Sequence, residues 1–334
     1  MANEARHHHY IPQCYLRGFA VGNGKRCHVT VANLEHGVFF ETNPRNIGGV
    51  RDFLRIEIEG TKPDALEGLL AGFESEVAGA IYNVSASHKF DGKDRNAIHN
   101  LVALLAVRSP QHRENIRQFE EKVMKQILGL SLATKDRWEN QLKQMEKAGK
   151  GVKNSVSYED MVKFYREDQY DINMNNEHYI AMEMETHDAV LHALSARKWK
   201  LYITTEEKGH FVTADRPVVI TWNNLEEIPV MMRGSPGYGA TDTEVLFPLT
   251  KDLLIIGSFE QEDGVVEANS YLVAGANSKI VHYSFGQVYA VKKAFPYFTP
   301  DMQFHRDKIF MERFEPFKKL KPEEKEKIDG AVKR

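Results

Sequence analysis

Apolar residues recur along this 334-residue chain with different periods, and the period changes in blocks. Over residues 64–82, Leu66, Leu69, Leu70, Phe73, Val77 and Ile81 fall three or four apart, which predicts an amphipathic helix with one apolar stripe. Residues 94–107 predict a second helix. Its last two turns, 101–107, are apolar nearly all round, so it is expected to be central and buried. Ser109-Pro110 breaks that pattern. Ser109 can cap a third helix with Pro110 at its first position, running on toward Met145 with many charges. The glycine- and lysine-rich stretch 148–154 reads as a linker, and 157–166 and 177–196 read as further helices.

From Trp199 the pattern shortens to strands at 201–204, 210–213, 218–222, 244–248, 253–258 and 287–291, with a helix over 276–283 beneath them. At the other end, residues 8–60 alternate short extended runs with turns. Asn23-Gly24 is a hairpin signal between runs at 15–20 and 27–31. Residues 37–40 read as a strand, 43–49 as a loop, and 51–56 alternate in period two. Pro12 biases Ile11 toward extended geometry, so His9-Tyr10-Ile11 is expected to run as a strand into a turn. Strands, then helices, then strands argue an α+β fold rather than a wound α/β sheet. The expectation is one domain over 1–334: a helical middle (62–198) packed against a mostly antiparallel sheet. That sheet would be built from the C-terminal half (199–315) and the N-terminal strands (8–60), with a charged tail at 316–334. No internal repeat is visible.

Composition narrows the class. The chain is 42% hydrophobic and 27% charged, so its body is expected to be globular rather than disordered. A formal net charge of −3 excludes a large basic footprint for duplex DNA while leaving room for a local basic patch. Two cysteines, Cys14 and Cys27, are too few for a disulfide framework and fit a reducing compartment. No signal peptide is visible at the polar, His-rich N-terminus, and the longest apolar run, 101–107, is far too short for a bilayer. A soluble cytoplasmic protein without membrane contact is expected.

The chemistry concentrates in His8-His9-Tyr10-Ile11-Pro12-Gln13. Histidine titrates near neutrality and ligates metals through a neutral ring nitrogen. In an extended segment His8 and His9 point to opposite faces, so one can bind a metal or phosphate while the other is buried. Structural histidines bracing the N-terminus, or the remnant of a tag, are the plainer readings. This opening, with Tyr15-Leu16-Arg17 and Phe19-Ala20 after it, resembles that of the bacterial family called domain of unknown function 4238. Later segments resemble it in the same order: Arg108-Ser109-Pro110, Trp199-Lys200-Leu201, Phe211 through Pro217, Phe247-Pro248-Leu249, and an asparagine such as Asn269. The likeness spans roughly residues 8 to 290. It departs from the family at Cys14, where an aromatic is usual, and at Arg216, where asparagine is commoner. The resemblance informs the fold more than the activity, which the family's name leaves open.

His8-His9-x-x-Pro12 is also similar to the first half of the HNH nuclease motif, in which one residue helps bind a divalent metal and the next histidine deprotonates water. The second half is missing: His28-Val29-Thr30-Val31 reads as a strand where a helix is needed, and there is no paired Cys-x-x-Cys. Arg108 ends a helix too apolar to be solvated, so its guanidinium needs a carboxylate (Glu74, Asp52 or Asp215) or a phosphate; Arg113 follows it. Asp215 ends an apolar strand just before a pre-proline turn, either as ligand or base or as a local backbone cap. Glu67 and Glu74 lie seven apart along the stripe margin, with Glu76 on the other margin. They form a solvated face, or Glu74 joins His8 or Arg108. Glu183 and His187 are spaced for a metal pair but lack the full zinc motif. Gly234 to Gly239 lacks the lysine and following helix of a phosphate loop and reads as a mobile surface loop, a candidate lid.

These residues give one expectation: a metal-assisted, nuclease-like hydrolase of phosphodiester bonds in bacterial defence. His8, His9 and Asp215 are the candidate catalytic groups. His8, Glu74 and Asp215 are the candidate ligands of Mg²⁺, Mn²⁺ or Zn²⁺. Arg108, Arg113 and Asn269 are placed on a nucleic-acid or nucleotide substrate. The alternative is a non-catalytic ligand- or nucleic-acid-binding module whose histidines are structural.

Overall fold

A computed structural model describes residues 6–307 apart from 23, 151–155, 169, 235 and 300. The expected charged tail, most of the linker and Asn23 of the hairpin signal lie outside the described residues. The fold is α+β, with helices in the middle of the chain and antiparallel sheets from its two ends. The chain divides into two compact units, residues 1–109 with 180–334, and Pro110–Tyr179.

In the first unit the order is β1 (His7–His9), α1 (Gln13–Leu16), β2 (Val29–Asn33), β3 (Val38–Thr42), β4 (Gly49–Arg51), α2 (Ala65–Ser87) and α3 (Gly92–Val107). In the second unit come α4 (Pro110–Ser131), α5 (Lys135–Lys147) and α6 (Tyr158–Glu167). α7 (Asn176–Ser195) follows. Then come β5 (Lys198–Ile203), β6 (Thr213–Ala214), β7 (Val219–Trp222), β8 (Thr243–Thr250), β9 (Leu253–Ser258), β10 (Gly264–Glu267), α8 (Ser270–Tyr283) and β11 (Gln287–Ala290).

Two sheets carry the first unit. One has the order β10-β5-β9-β8-β7, antiparallel except where β10 runs parallel to β5. The other has the order β3-β2-β11-β6, so the N-terminal strands do pair with the C-terminal half, as expected from the scattered motifs. Period-two alternation explains why β7, β8 and β9 read as continuous apolar runs. Val245, Phe247, Leu253 and Ile255 face a core with Val77, Ile81, Val84, Ile98, Leu101 and Leu105 of α2 and α3. Leu246, Leu254 and Val219 face a second core with Val273, Ile280 and Val281 of α8. Both faces of the sheet are therefore covered, and each large apolar side chain so buried contributes about 1.5–3 kcal/mol.

Several local expectations are corrected. Residues 15–20 form α1 and a 3-10 turn (Arg17–Phe19), not a strand, because Tyr15, Leu16 and Phe19 are fully buried at helical spacing behind Pro12; only Val21 pairs with His28. The period-two run at 51–56 ends at Arg51, since Asp52 takes a positive φ of 57°. Leu69 of the α2 stripe is 74% exposed, and burial starts two turns later at Val77. α8 starts at Ser270, six residues before the predicted start, and α7 and the strands match their predicted places to within a few residues.

In the second unit the third helix does not run unbroken toward Met145. It stops at Ser131, and Thr134 caps α5 by accepting from the Arg137 amide at 3.3 Å. α4 begins at Pro110, as its fixed φ favours, and Arg117 bridges Glu114 and Glu121 along it at 2.8 and 2.9 Å.

Candidate functional site

The opening motif is held as one strand of a two-stranded ribbon, with His7 opposite Arg51, His8 opposite Val50 and His9 opposite Gly49. Gly48, at φ +65°, turns the chain so that its carbonyl accepts from both Tyr10 N (2.8 Å) and Ile11 N (3.1 Å). Alternation then sends His7 and His9 to one face and His8 to the other, inward, where it is 2% exposed. His8 Nδ1 accepts from the Leu54 amide at 2.9 Å, so the neutral ring carries its proton on Nε2. That nitrogen lies 3.6 Å from the Glu67 carboxylate.

Glu67 and Glu74 sit two turns apart on one face of α2. Glu74 is half-buried, and burial raises its carboxyl above the usual range. The Arg108 guanidinium opposes that rise and the Glu67 carboxylate adds to it. Arg108 is buried at the C-cap of α3, where the following Ser109-Pro110 cannot continue the helix. Cys14 of α1 borders the group: burial raises its thiol to about 11, with Glu74 adding to the effect and Arg17 opposing it. The structure thus gathers His8, Glu67, Glu74 and Arg108, four side chains from three separate elements.

Asp215 and His9 are used differently. Asp215 Oδ1 accepts from Phe285 N at 2.8 Å and Oδ2 from Gln287 N at 2.9 Å, while its own amide donates to Gln287 O at 3.0 Å. It clips β6 to the start of β11. Burial raises its carboxyl to about 6 against the opposing amides. Tyr10 reaches this end of the motif set: its hydroxyl hydrogen-bonds with that of Tyr289, and burial and then Asp215 push its own titration up. His9 Nε2 donates to the Arg45 carbonyl at 3.1 Å, and burial lowers its pKa against that bond.

Tyr15 explains why distant motifs belong together. Its ring stacks on Phe247 at 5.0 Å, its hydroxyl donates to the Pro248 carbonyl at 2.8 Å, and Thr213 Oγ1 lies 2.7 Å from it. The segments at 10–20, 211–217 and 247–249 therefore meet at one buried aromatic.

The remaining candidates fall elsewhere. Arg113 belongs to the second unit, where Nη1 donates to Asn176 Oδ1 at 3.4 Å. Asn269 caps α8, accepting from Leu272 N at 2.9 Å. His187 is turned to Asp188 at 3.2 Å. The latter part of the glycine-rich loop is anchored rather than swinging, because buried Arg197 donates to the carbonyls of Tyr238 (2.7 Å) and Thr243 (2.7 Å). Among the described residues, no group of three or more His, Cys, Asp or Glu side chains is placed to hold a metal by itself. None of the described helices is long and apolar enough to cross a membrane. The sequence gives no sign of a second polar constellation, His210 with Asp252 at 2.8 Å, since the two are remote in the chain and neither sits in a motif.

A family model described as "Protein of unknown function (DUF4238)" matches residues 7–294. No curated protein matches the chain, and no solved structure does.

Proposed function

The chain belongs to the DUF4238 family of proteins of unknown function, and from that premise we propose that it is a metal-assisted hydrolase of phosphodiester bonds, with nucleic acid as the substrate class and a place in bacterial defence. The observation that carries this reading is the half-buried Glu74, raised by burial and set between the Arg108 guanidinium and a second carboxylate, Glu67. Without the ion, that raised carboxyl can hold a proton, which the ion would displace on binding. Glu67 and Glu74 supply the two carboxylates that Mg²⁺ or Mn²⁺ ordinarily takes from a protein, the other positions being filled by water and substrate phosphate. Such an ion would neutralise charge on the attacked phosphate and lower the pKa of a bound water. Arg108 gives the group its preference for an anion. His8 positions Glu67, since its Nδ1 is occupied by the Leu54 amide and Nε2 faces the carboxylate.

A second reading has its own support. His8, His9 and Asp215 all bond to backbone groups, as residues that brace a binding module would. Incubating the purified protein with single- and double-stranded DNA and RNA, and with a bis-nitrophenyl phosphate, in Mg²⁺ or Mn²⁺ separates the two. Hydrolysis is expected, and Glu74→Gln is expected to lose at least about 100-fold of it with its melting temperature unchanged. Intact substrates throughout would remove the hydrolase reading, and retention of nucleic acid without turnover would put the binding module in its place.

A further inference from the structure

We infer that residues 65–76, the N-terminal half of α2, form a gate: the segment opens from the body of the fold by local unfolding and carries Glu67 and Glu74 away from His8 and Arg108 as it does so. A ligand that binds those two carboxylates holds it shut. That ligand is the divalent ion of the reading above, and this part of the inference rests on that reading; the opening itself does not.

α2 is anchored unevenly along its length. Its buried residues are Val77, Ala80, Ile81 and Val84, which share a core with Ile98, Leu101 and Leu105 of α3. Before Val77 none of its side chains is buried: Leu66, Leu70 and Phe73 are partly covered, and Leu69 is 74% exposed. A helical stretch of about 12 residues without a buried face is marginal in water. The start of the helix is also weak, because the Asp64 side chain makes no capping hydrogen bond to the first turn.

Glycine loosens the same stretch. Gly68 and Gly72 lie one turn apart and exposed, and a Cβ at either would meet nothing within 4 Å. No close approach therefore requires glycine at these two positions. Each shifts the balance away from helix by about fivefold relative to alanine.

The fastenings are polar. Glu67 lies 3.6 Å from His8 Nε2, and Glu74 lies within the field of the Arg108 guanidinium. Partly exposed ion pairs of this kind hold weakly. Both ends of the segment are pinned, since Ile56 N donates to Pro63 O at 3.2 Å just ahead of α2 and Val77 is fully buried behind it. Opening is confined to the stretch between. The carboxylates that fasten the segment are the ones that would take the ion, so an ion held by both bridges two turns of the segment and favours the closed state by its difference in affinity for the two.

Amide hydrogen exchange of the full chain, with and without about 5 mM Mn²⁺, tests this. Without the ion, residues 66–76 are expected to exchange at least about 10-fold faster than 78–86. Gly68→Ala/Gly72→Ala is expected to slow exchange at 66–76 by about 10-fold or more and to leave 78–86 unchanged. Mn²⁺ is expected to slow 66–76 in the natural chain and not in Glu67→Gln/Glu74→Gln. Equal protection along the whole of α2, or no slowing in the alanine variant, would overturn the gate. So would Mn²⁺ that raises the melting temperature without slowing 66–76, because the ion would then bind without closing the segment. Fast exchange that the alanines slow, with no response to Mn²⁺ in either measurement, would uphold the opening and remove the ion reading instead.

Discussion

Asp215 and Glu74 are two carboxyls that burial pushes toward neutrality, and their surroundings differ in kind. Asp215 is met by backbone amides of the segment leading into β11, so a sheet hangs from it. Glu74 is met by side-chain charges, Arg108 and Glu67, that project from α2 and α3 without tying one strand to another. A carboxylate satisfied by amides is committed to architecture. One balanced among side-chain charges keeps a proton affinity that a ligand can shift. That contrast is why the chemistry we propose is placed on the helix margin rather than at the strand end of Asp215.

The largest effect that could break this contrast is on stability. Asp215→Ala leaves the buried amides of Phe285 and Gln287 without their acceptor and is expected to cost about 3 kcal/mol in urea unfolding. A loss below about 1 kcal/mol would mean that the clip is not structural. Next comes pH. The folded carboxyl at about 6 lies above its ordinary value of 3.8, so the fold holds the proton more tightly than the unfolded chain does. That contribution is fully present below pH 4 and is lost as pH rises through 6. The stability of the natural chain relative to Asp215→Asn should therefore fall between pH 4 and 7, by on the order of 2 kcal/mol. A flat or rising difference would show that the amides, not burial, control Asp215. Smaller still, His9→Ala removes one bond to the Arg45 carbonyl and should cost about 1 kcal/mol while leaving hydrolysis unchanged; loss of activity would return His9 to the site. Smallest is Arg6→Gln, which breaks a partly exposed pair with Asp52 and should leave the urea unfolding midpoint unchanged.

The sequence carried the elements with long or repeated patterns. α2, α3 and the strands of the doubly covered sheet were legible because their apolar residues keep one period for several turns or pairs. α1 was not, since a single turn offers only Tyr15 and Leu16, and a neighbouring Asn-Gly argued for a hairpin. β10 gave no signal because all four of its residues are exposed and its pairing with β5 is a matter of backbone. That Arg108 needs a counter-charge was readable from chemistry, because it ends an apolar helix, but the sequence offered Glu74, Asp52 and Asp215 alike. The contact of His8 with Glu67 and the pairing of His210 with Asp252 depend on register between distant elements, which composition and spacing do not encode.

The most direct test of the central claim is the shift in melting temperature on adding Mn²⁺ to the natural chain, to Asp215→Asn and to a Glu67→Gln/Glu74→Gln double variant. An ion that binds the native state alone raises its apparent stability by mass action. Stabilisation of the natural chain and of Asp215→Asn, lost in the double variant, is the predicted result. A Mn²⁺ shift that survives in the double variant, or that disappears with Asp215→Asn, would contradict the assignment of the site to α2.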